Sequence, residues 1–310
     1  MGENPDLFVL GSFVVACSAT VARLPRAGES LQADSFLVDP GGKGLNLAVG
    51  ARRLGARVDG LIAAGRDLFG DLAEAALRRA DLPAGMLCRV DCATGAGIGF
   101  IDAAGENCLA VYPGANARLD ATMVRGAAER IARARCVLAQ FEIGDAVIAE
   151  GFRLARSAGV ATLLNPSPFR LPPPALLADT DILVVNAPEA EACRAGLGLP
   201  EADPEAIIAA LLRRGPRLVV VTRGAEGAFA RAADGPLLAQ PAFSVTAVDT
   251  IGAGDAFTAG LAVSLAEGLP LAESLRHAAA CGACVVRRAG VFDALPDRAE
   301  RDAMLASQPA

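Results

Sequence analysis

The chain has no tryptophan and, in 310 residues, a single tyrosine (Tyr112), a single histidine (His277) and a single lysine (Lys43). Aromatic residues make up 4% of it, and with alanine and glycine abundant, helices can approach a sheet closely. Hydrophobic residues reach 53%, yet the early uncharged stretch over residues 7–22 falls short of the roughly 20 residues a membrane-spanning helix needs. It reads as a buried first strand. Val14-Val15-Ala16-Cys17 superficially resembles a lipoprotein cleavage site, but residues 1–6 are acidic and lack the positive segment that export requires, so a cytoplasmic protein is expected. Runs of positive charge are also missing: 29 basic residues lie scattered among 35 acidic ones, for a net charge of −6. This excludes a nucleic-acid footprint and favours a small soluble substrate. Eight cysteines are present without a paired framework, the usage of a small buried hydrophobe in a reducing compartment. His277, Cys281 and Cys284 share one helical face and could in principle hold a metal, but no fourth ligand is evident.

Two glycine-rich stretches carry the chemistry. The first, Gly41-Gly42-Lys43-Gly44-Leu45-Asn46, precedes a helical pattern over residues 47–54. Every other basic residue is an arginine, so one compact ammonium kept in a glycine turn points to a specific polar contact. The second, Val248-Asp249-Thr250-Ile251-Gly252-Ala253-Gly254-Asp255-Ala256-Phe257-Thr258, sets two carboxylates around a glycine turn that runs into an apolar helix over residues 256–265. N–H groups in the first turn of a helix lack intrahelical acceptors, and with the helix dipole they favour negative charge. Gly252 and Gly254 are therefore expected to bind anionic oxygens, and Asp255 is the candidate general base. The pair is no dinucleotide fingerprint, because the third glycine would fall at Phe257 and the motif does not follow the first strand.

Together these stretches resemble the two signatures of the ribokinase family of carbohydrate kinases, also called the PfkB family. Gly11-Ser12, Gly114-Ala115-Asn116, Gln140-Phe141-Glu142, Asn165-Pro166, Asn186-Ala187-Pro188-Glu189, Thr222-Arg223-Gly224 and Arg288-Ala289-Gly290 resemble further landmarks in the family's order, so the likeness covers essentially the whole chain. It implies an ATP-dependent sugar kinase in which Asp255 takes the acceptor's proton while the N–H groups of Gly252, Ala253 and Gly254 hold the transferring phosphoryl oxygens. Gly42, Lys43, Asn46 and Glu142 match positions that bind sugar hydroxyls, and Asn186, Thr222, Gly224 and Gly254 border the nucleotide. Asn186 and Glu189 match a pair that orders magnesium largely through water; without the resemblance they also read as a helix-capping pair. Asp249, Ile251, Val286 and Gly290 fall where related kinases bind a potassium-like ion, Ile251 and Val286 through backbone carbonyls.

In one place the likeness fails. Family members usually carry Asn and Asp two residues apart after Gly-Ser, the Asp gripping the sugar diol, whereas this chain has Val14 and Ala16. Phosphoryl transfer should survive that loss, but ribose binding is expected to weaken. A nucleoside kinase, or a catalytically weak sugar-binding or regulatory protein, are the other readings the family allows; retention of Asp255 and Lys43 argues against the last.

Strand-length apolar runs at residues 8–16, 58–64, 137–140, 161–164, 182–185 and 218–221 alternate with helical patterns at 47–54, 68–79, 147–157 and 206–213. That rhythm predicts an α/β fold, a three-layer α/β/α sandwich around a mainly parallel sheet. An alternating pattern over 30–38, and a hairpin of 95–102 with 107–112 around Ala103-Ala104-Gly105-Glu106, interrupt it. The resemblance implies that such segments, about 13–40 and 95–116 of a single 1–310 domain, form a small β lid over the sugar and pair two subunits as a homodimer. After Asp297 a polar helix or frayed tail is expected.

Overall fold

The computed structural model describes residues 6–102, 107–199 and 203–308. The acidic residues 1–5 and the hairpin turn at 103–106 lie outside the described residues. In chain order the strands are β1 (Leu7–Gly11), β2 (Val14–Val21), β3 (Ser35–Gly41), β4 (Val58–Gly65), β5 (Leu87–Val90), β6 (Gly95–Asp102), β7 (Asn107–Tyr112), β8 (Cys136–Gln140), β9 (Ala161–Asn165), β10 (Ile182–Asn186), β11 (Leu218–Thr222), β12 (Ala228–Ala232) and β13 (Leu237–Gln240). The helices are α1 (Lys43–Arg53), α2 (Leu68–Arg79), α3 (Ala121–Gly126), α4 (Ala128–Ala132), α5 (Asp145–Ser157), α6 (Pro174–Ala178), α7 (Ala187–Gly196), α8 (Pro204–Leu212), α9 (Ala253–Ala266), α10 (Leu271–Val285) and α11 (Arg298–Ser307).

Strands without a polar face demand cover on both sides, and the packing supplies it. In β1, Leu7 and Val9 point into a core shared with α1, α2, α9 and α10, while Phe8 and Leu10 point into a second core built by α3 to α8. β10 and β11 divide their residues in the same way, with Val184 and Val220 on the first side and Leu183, Val185, Val219 and Val221 on the other. The main sheet runs β13-β12-β11-β10-β9-β8-β1-β4-β5. Pairs from β5 to β11 are parallel, and only β12 and β13 join antiparallel. Among the described residues no helix is long and apolar enough to cross a membrane.

The first apolar run is not one strand. It breaks after Gly11, and β2 leaves for a separate four-stranded sheet ordered β3-β2-β6-β7. The cause is Asn116, a buried side chain 103 residues away, which accepts from Phe13 N at 2.9 Å and donates to Phe13 O at 2.8 Å. Its amide takes the place of a neighbouring strand at that residue. β3 also differs from expectation: it starts at Ser35 rather than Ser30 and continues through Pro40 to Gly41, because its register is set by β2, with Thr20 opposite Ser35 and Val14 opposite Gly41. Pro40 is tolerated because β3 is an edge strand. The tail beyond Asp297 is a helix, held at its start by a capping box between Asp297 and Glu300.

Candidate active site

Ser12, Gln140, Asn165, Asn186 and Thr222 all lie at or just beyond the carboxyl ends of parallel strands, the edge where open α/β sheets bind ligands. Over that edge sits the lysine turn. α1 starts at Lys43, with Gly42 as its N-cap, rather than after Asn46. The helix can begin so early because its first N–H groups find acceptors. Lys43 N donates to Glu142 Oε2 at 2.8 Å, Gly44 N to Ser12 Oγ at 3.0 Å and Leu45 N to Ser12 O at 3.0 Å. Ser12 Oγ donates in turn to Glu142 Oε2 at 2.6 Å and accepts from Gln140 Nε2 at 2.9 Å. Only glycine fits at position 44, where a Cβ would lie 2.0 Å from Ser12 N. Glu142 Oε2 is therefore spent on bracing this turn, and Ser12 is the hub that the sequence reading noted only as a landmark.

α9 delivers the second turn. Gly252, its N-cap, has φ 81°, and a Cβ there would press to 2.5 Å from Val291 Cγ1. Among the described residues the N–H groups of Gly252 and Gly254 have no acceptor, whereas Ala253 N is directed at Thr250 O, 3.4 Å away. Of the three N–H groups expected to face anionic oxygens, those of Gly252 and Gly254 are thus unengaged and that of Ala253 makes only a long internal contact. Asp255, one residue further, is 3% exposed. Asn46 Nδ2 donates to its Oδ2 at 2.8 Å, and Lys43 Nζ lies 3.4 Å from its Oδ1. Burial works against the Lys43 charge, but the carboxylates of Asp255, Glu142 and Glu189 outweigh it and raise the ammonium's pKa. Asn46 Oδ1 is buried beside Asp255 with no partner.

A cleft of about 190 Å³ joins these groups and is walled by Lys43, Asp255, Gly252, Gly254, Asn186, Glu189 and Thr222. Asn165, Ser167, Thr250 and Thr258 also line it. Ser167 carried no sequence signal, and Thr258, at the end of the second glycine-rich stretch, was assigned no role there. Asn186 and Glu189 form a reciprocal capping box on α7: Glu189 N donates to Asn186 Oδ1 at 2.8 Å and Asn186 N to Glu189 Oε2 at 2.9 Å. The capping reading holds for the pair, while both residues still face the cleft. Gly224 is exposed and outside the cleft wall. Behind the turn, Asp249 accepts from Ile251 N at 2.9 Å and from Gly290 N at 3.2 Å. Val286 O already accepts from Val248 N and Asp249 N at 2.7 and 3.2 Å. His277, Cys281 and Cys284 make no metal centre. Among the described residues no group of three potential ligands is found; His277 Nδ1 faces Ser264 Oγ, and burial pushes the Cys281 thiol up to about 12.

Residues 4–298 match the pfkB family of carbohydrate kinases. A ribokinase of Mus musculus is 33% identical over 95% of this chain and 93% of its own length. A deoxyribokinase of Salmonella typhi is 32% identical over 81% of this chain and 83% of its own. The solved ribokinase of Arabidopsis thaliana, complexed with ribose and ATP, superposes with a TM-score of 0.91 at 29% identity, covering 98% of this chain and 99% of that one.

Proposed function

The chain belongs to the pfkB family of carbohydrate kinases, and from that premise we propose that it transfers the γ-phosphoryl group of ATP to a hydroxyl of a small sugar. The observation that carries this reading is the buried Asp255 carboxylate, held between Asn46 and Lys43 at the mouth of α9 beside two unpaired N–H groups. A sugar hydroxyl entering next to Asp255 gives up its proton to the carboxylate as its oxygen bonds the phosphorus and the bond to the departing ADP oxygen breaks. Asn46 holds the Asp255 carboxylate through its Nδ2 donor. Lys43 positions Asp255 and offsets negative charge, and the Gly252 and Gly254 N–H groups receive the phosphoryl oxygens. Thr222 and Asn186 border the nucleotide side of the cleft.

The donor chemistry fits magnesium. Glu189 faces the cleft with one carboxylate oxygen outside the capping box, and oxygen ligands suit that ion, which when bound would neutralise phosphate charge. A potassium-like ion fits less well. The Asp249 carboxylate and the Ile251 carbonyl are suited to it, but Val286 O has both lone pairs engaged by N–H donors, so nothing in the mechanism is routed through that ion. The four-stranded sheet serves as a lid over the acceptor. A coupled ADP-release assay with ATP and magnesium across pentoses, 2-deoxypentoses, ketohexoses and nucleosides tests the reading. Acceptor-dependent ADP release from at least one sugar is expected, and its absence with every acceptor overturns the proposal.

A further inference from the structure

Asp39 of β3 lies directly opposite Ala16 of β2 in their antiparallel ladder. Residues paired in this way project from the same face of a sheet, with Cβ atoms about 5 Å apart. Across β2 the same face continues through Gly97, paired with Ala16, and Gly99, paired with Ser18. A Cβ at either glycine would meet nothing nearer than Leu109 Cδ1, at 3.7 and 3.4 Å. On this face Ala16, Gly97 and Gly99 leave a low strip beside Asp39, flanked by the apolar side chains of Leu37, Leu109 and Val111 and holding no other charge. That strip faces the catalytic turns. A Cβ on Gly41, two residues before Lys43, would sit 3.8 Å from Ala16 Cβ, and one on Gly290 would sit 3.6 Å from Asp39 Oδ2. Gly290 N in turn donates to Asp249, at the start of the turn that carries Asp255.

The Asp39 carboxylate is half-buried and, among the described residues, has no hydrogen-bond or ion-pair partner. The nearby Arg79 guanidinium bonds Asp293 instead and rests over the Phe292 ring. Burial, with Asp293 adding to it, raises the Asp39 pKa, and Arg79 only partly opposes the shift. A carboxylate drawn out of water without donors is costly, and hydroxyl groups of a ligand would supply the donors it lacks. Resting on the sugar-kinase reading, we propose that Asp39 binds the acceptor, accepting hydrogen bonds from two neighbouring hydroxyls of a pentose whose remaining exocyclic hydroxyl faces Asp255. The carboxylate expected at position 16 is on this account supplied from the adjacent strand, and the weak ribose binding expected from Ala16 alone does not follow.

Calorimetric titration of D-ribose, 2-deoxy-D-ribose and ADP into the wild type, Asp39→Ala, Asp39→Asn and the transposed Ala16→Asp/Asp39→Ala pair tests the assignment. The wild type is expected to bind ribose more tightly than 2-deoxyribose. Both single variants should lose roughly tenfold to a hundredfold in ribose affinity, narrow the preference over 2-deoxyribose and leave ADP binding unchanged. The transposed pair should recover part of the loss, which a purely structural role for Asp39 would not produce. Unchanged ribose affinity in both single variants, with circular dichroism showing the fold intact, overturns the assignment, as does a wild type that binds no ribose. Turnover is read separately. Ribose binding that depends on Asp39 without any ADP release would strike the kinase reading and leave Asp39 as a sugar ligand.

Discussion

At the level of single residues, the reading turns on how Asp255 is held. Asn46 and Lys43 take one oxygen each, so replacing the carboxylate by an amide keeps its size but removes the proton acceptor and the charge opposite Lys43, and turns one acceptor into a donor. Asp255→Asn should lower kcat on the order of 10²–10⁴ with ATP affinity, measured by calorimetry, nearly intact. Retention of most of the activity would exclude Asp255 as the base. Lys43→Arg should raise the acceptor KM more than the ATP KM, because a planar guanidinium cannot occupy the compact space between α1 and Asp255; equal effects on both substrates would remove Lys43 from the acceptor side. Since the folded state raises the Lys43 pKa, its charge contributes fully below the ordinary value of 10.5 and is lost only as pH rises through the raised one. An alkaline fall in kcat/KM near neutrality would therefore belong to another group. Asp255 and Lys43 were legible in the sequence because both are unusual for their surroundings, a carboxylate in an apolar helix and a lone lysine. The bracing role of Glu142 was not, since it depends on Ser12, 130 positions away.

At the level of elements, local pattern served well where pairing partners are adjacent in sequence. The 95–102 and 107–112 strands and the 68–79 helix form as their periodicities indicate. It failed where a distant side chain decides. The apolar run from Phe8 to Ala16 is interrupted only by Gly11-Ser12, and the joint that falls there is fixed by Asn116, which clamps both backbone groups of Phe13. α1 likewise starts early because Ser12 and Glu142 cap it from other strands. On the proposed function the joint matters because it aims β2, and with it the small sheet, as a lid over the acceptor. Asn116→Ala would leave two buried backbone groups of Phe13 unpaired, each worth about 1–3 kcal/mol. The variant is expected to lose stability of that order in denaturant titration and to raise the acceptor KM while the ATP KM changes little. If acceptor and ATP constants stay together, the joint does not aim the small sheet.

At the level of the whole molecule, the two-sided apolar rhythm of β1, β10 and β11 already implied helices on both faces, whereas β12 and β13, with polar and small residues interspersed, escaped notice until β11 offered them an edge. The small sheet leaves a different problem. On the face turned away from Asp39 and Ala16, the ladder registers align Phe36, Val38, Ile98 and Tyr112, and Phe36 and Ile98 are 67% and 56% exposed. Four large apolar side chains on one sheet face mark an interaction surface rather than scattered surface hydrophobes. A second copy of this chain is the partner the family resemblance implies. Each copy carries a net charge of −6, so long-range repulsion opposes pairing and apolar contact must supply the attraction. Added salt screens the first and does not weaken the second. Sedimentation equilibrium should therefore show a dimer that tightens between low and moderate ionic strength, and Phe36→Asp combined with Ile98→Asp should give monomers that still bind ADP. A wild type that sediments as a monomer throughout, or a doubly substituted protein that remains dimeric, would exclude this face as the subunit contact.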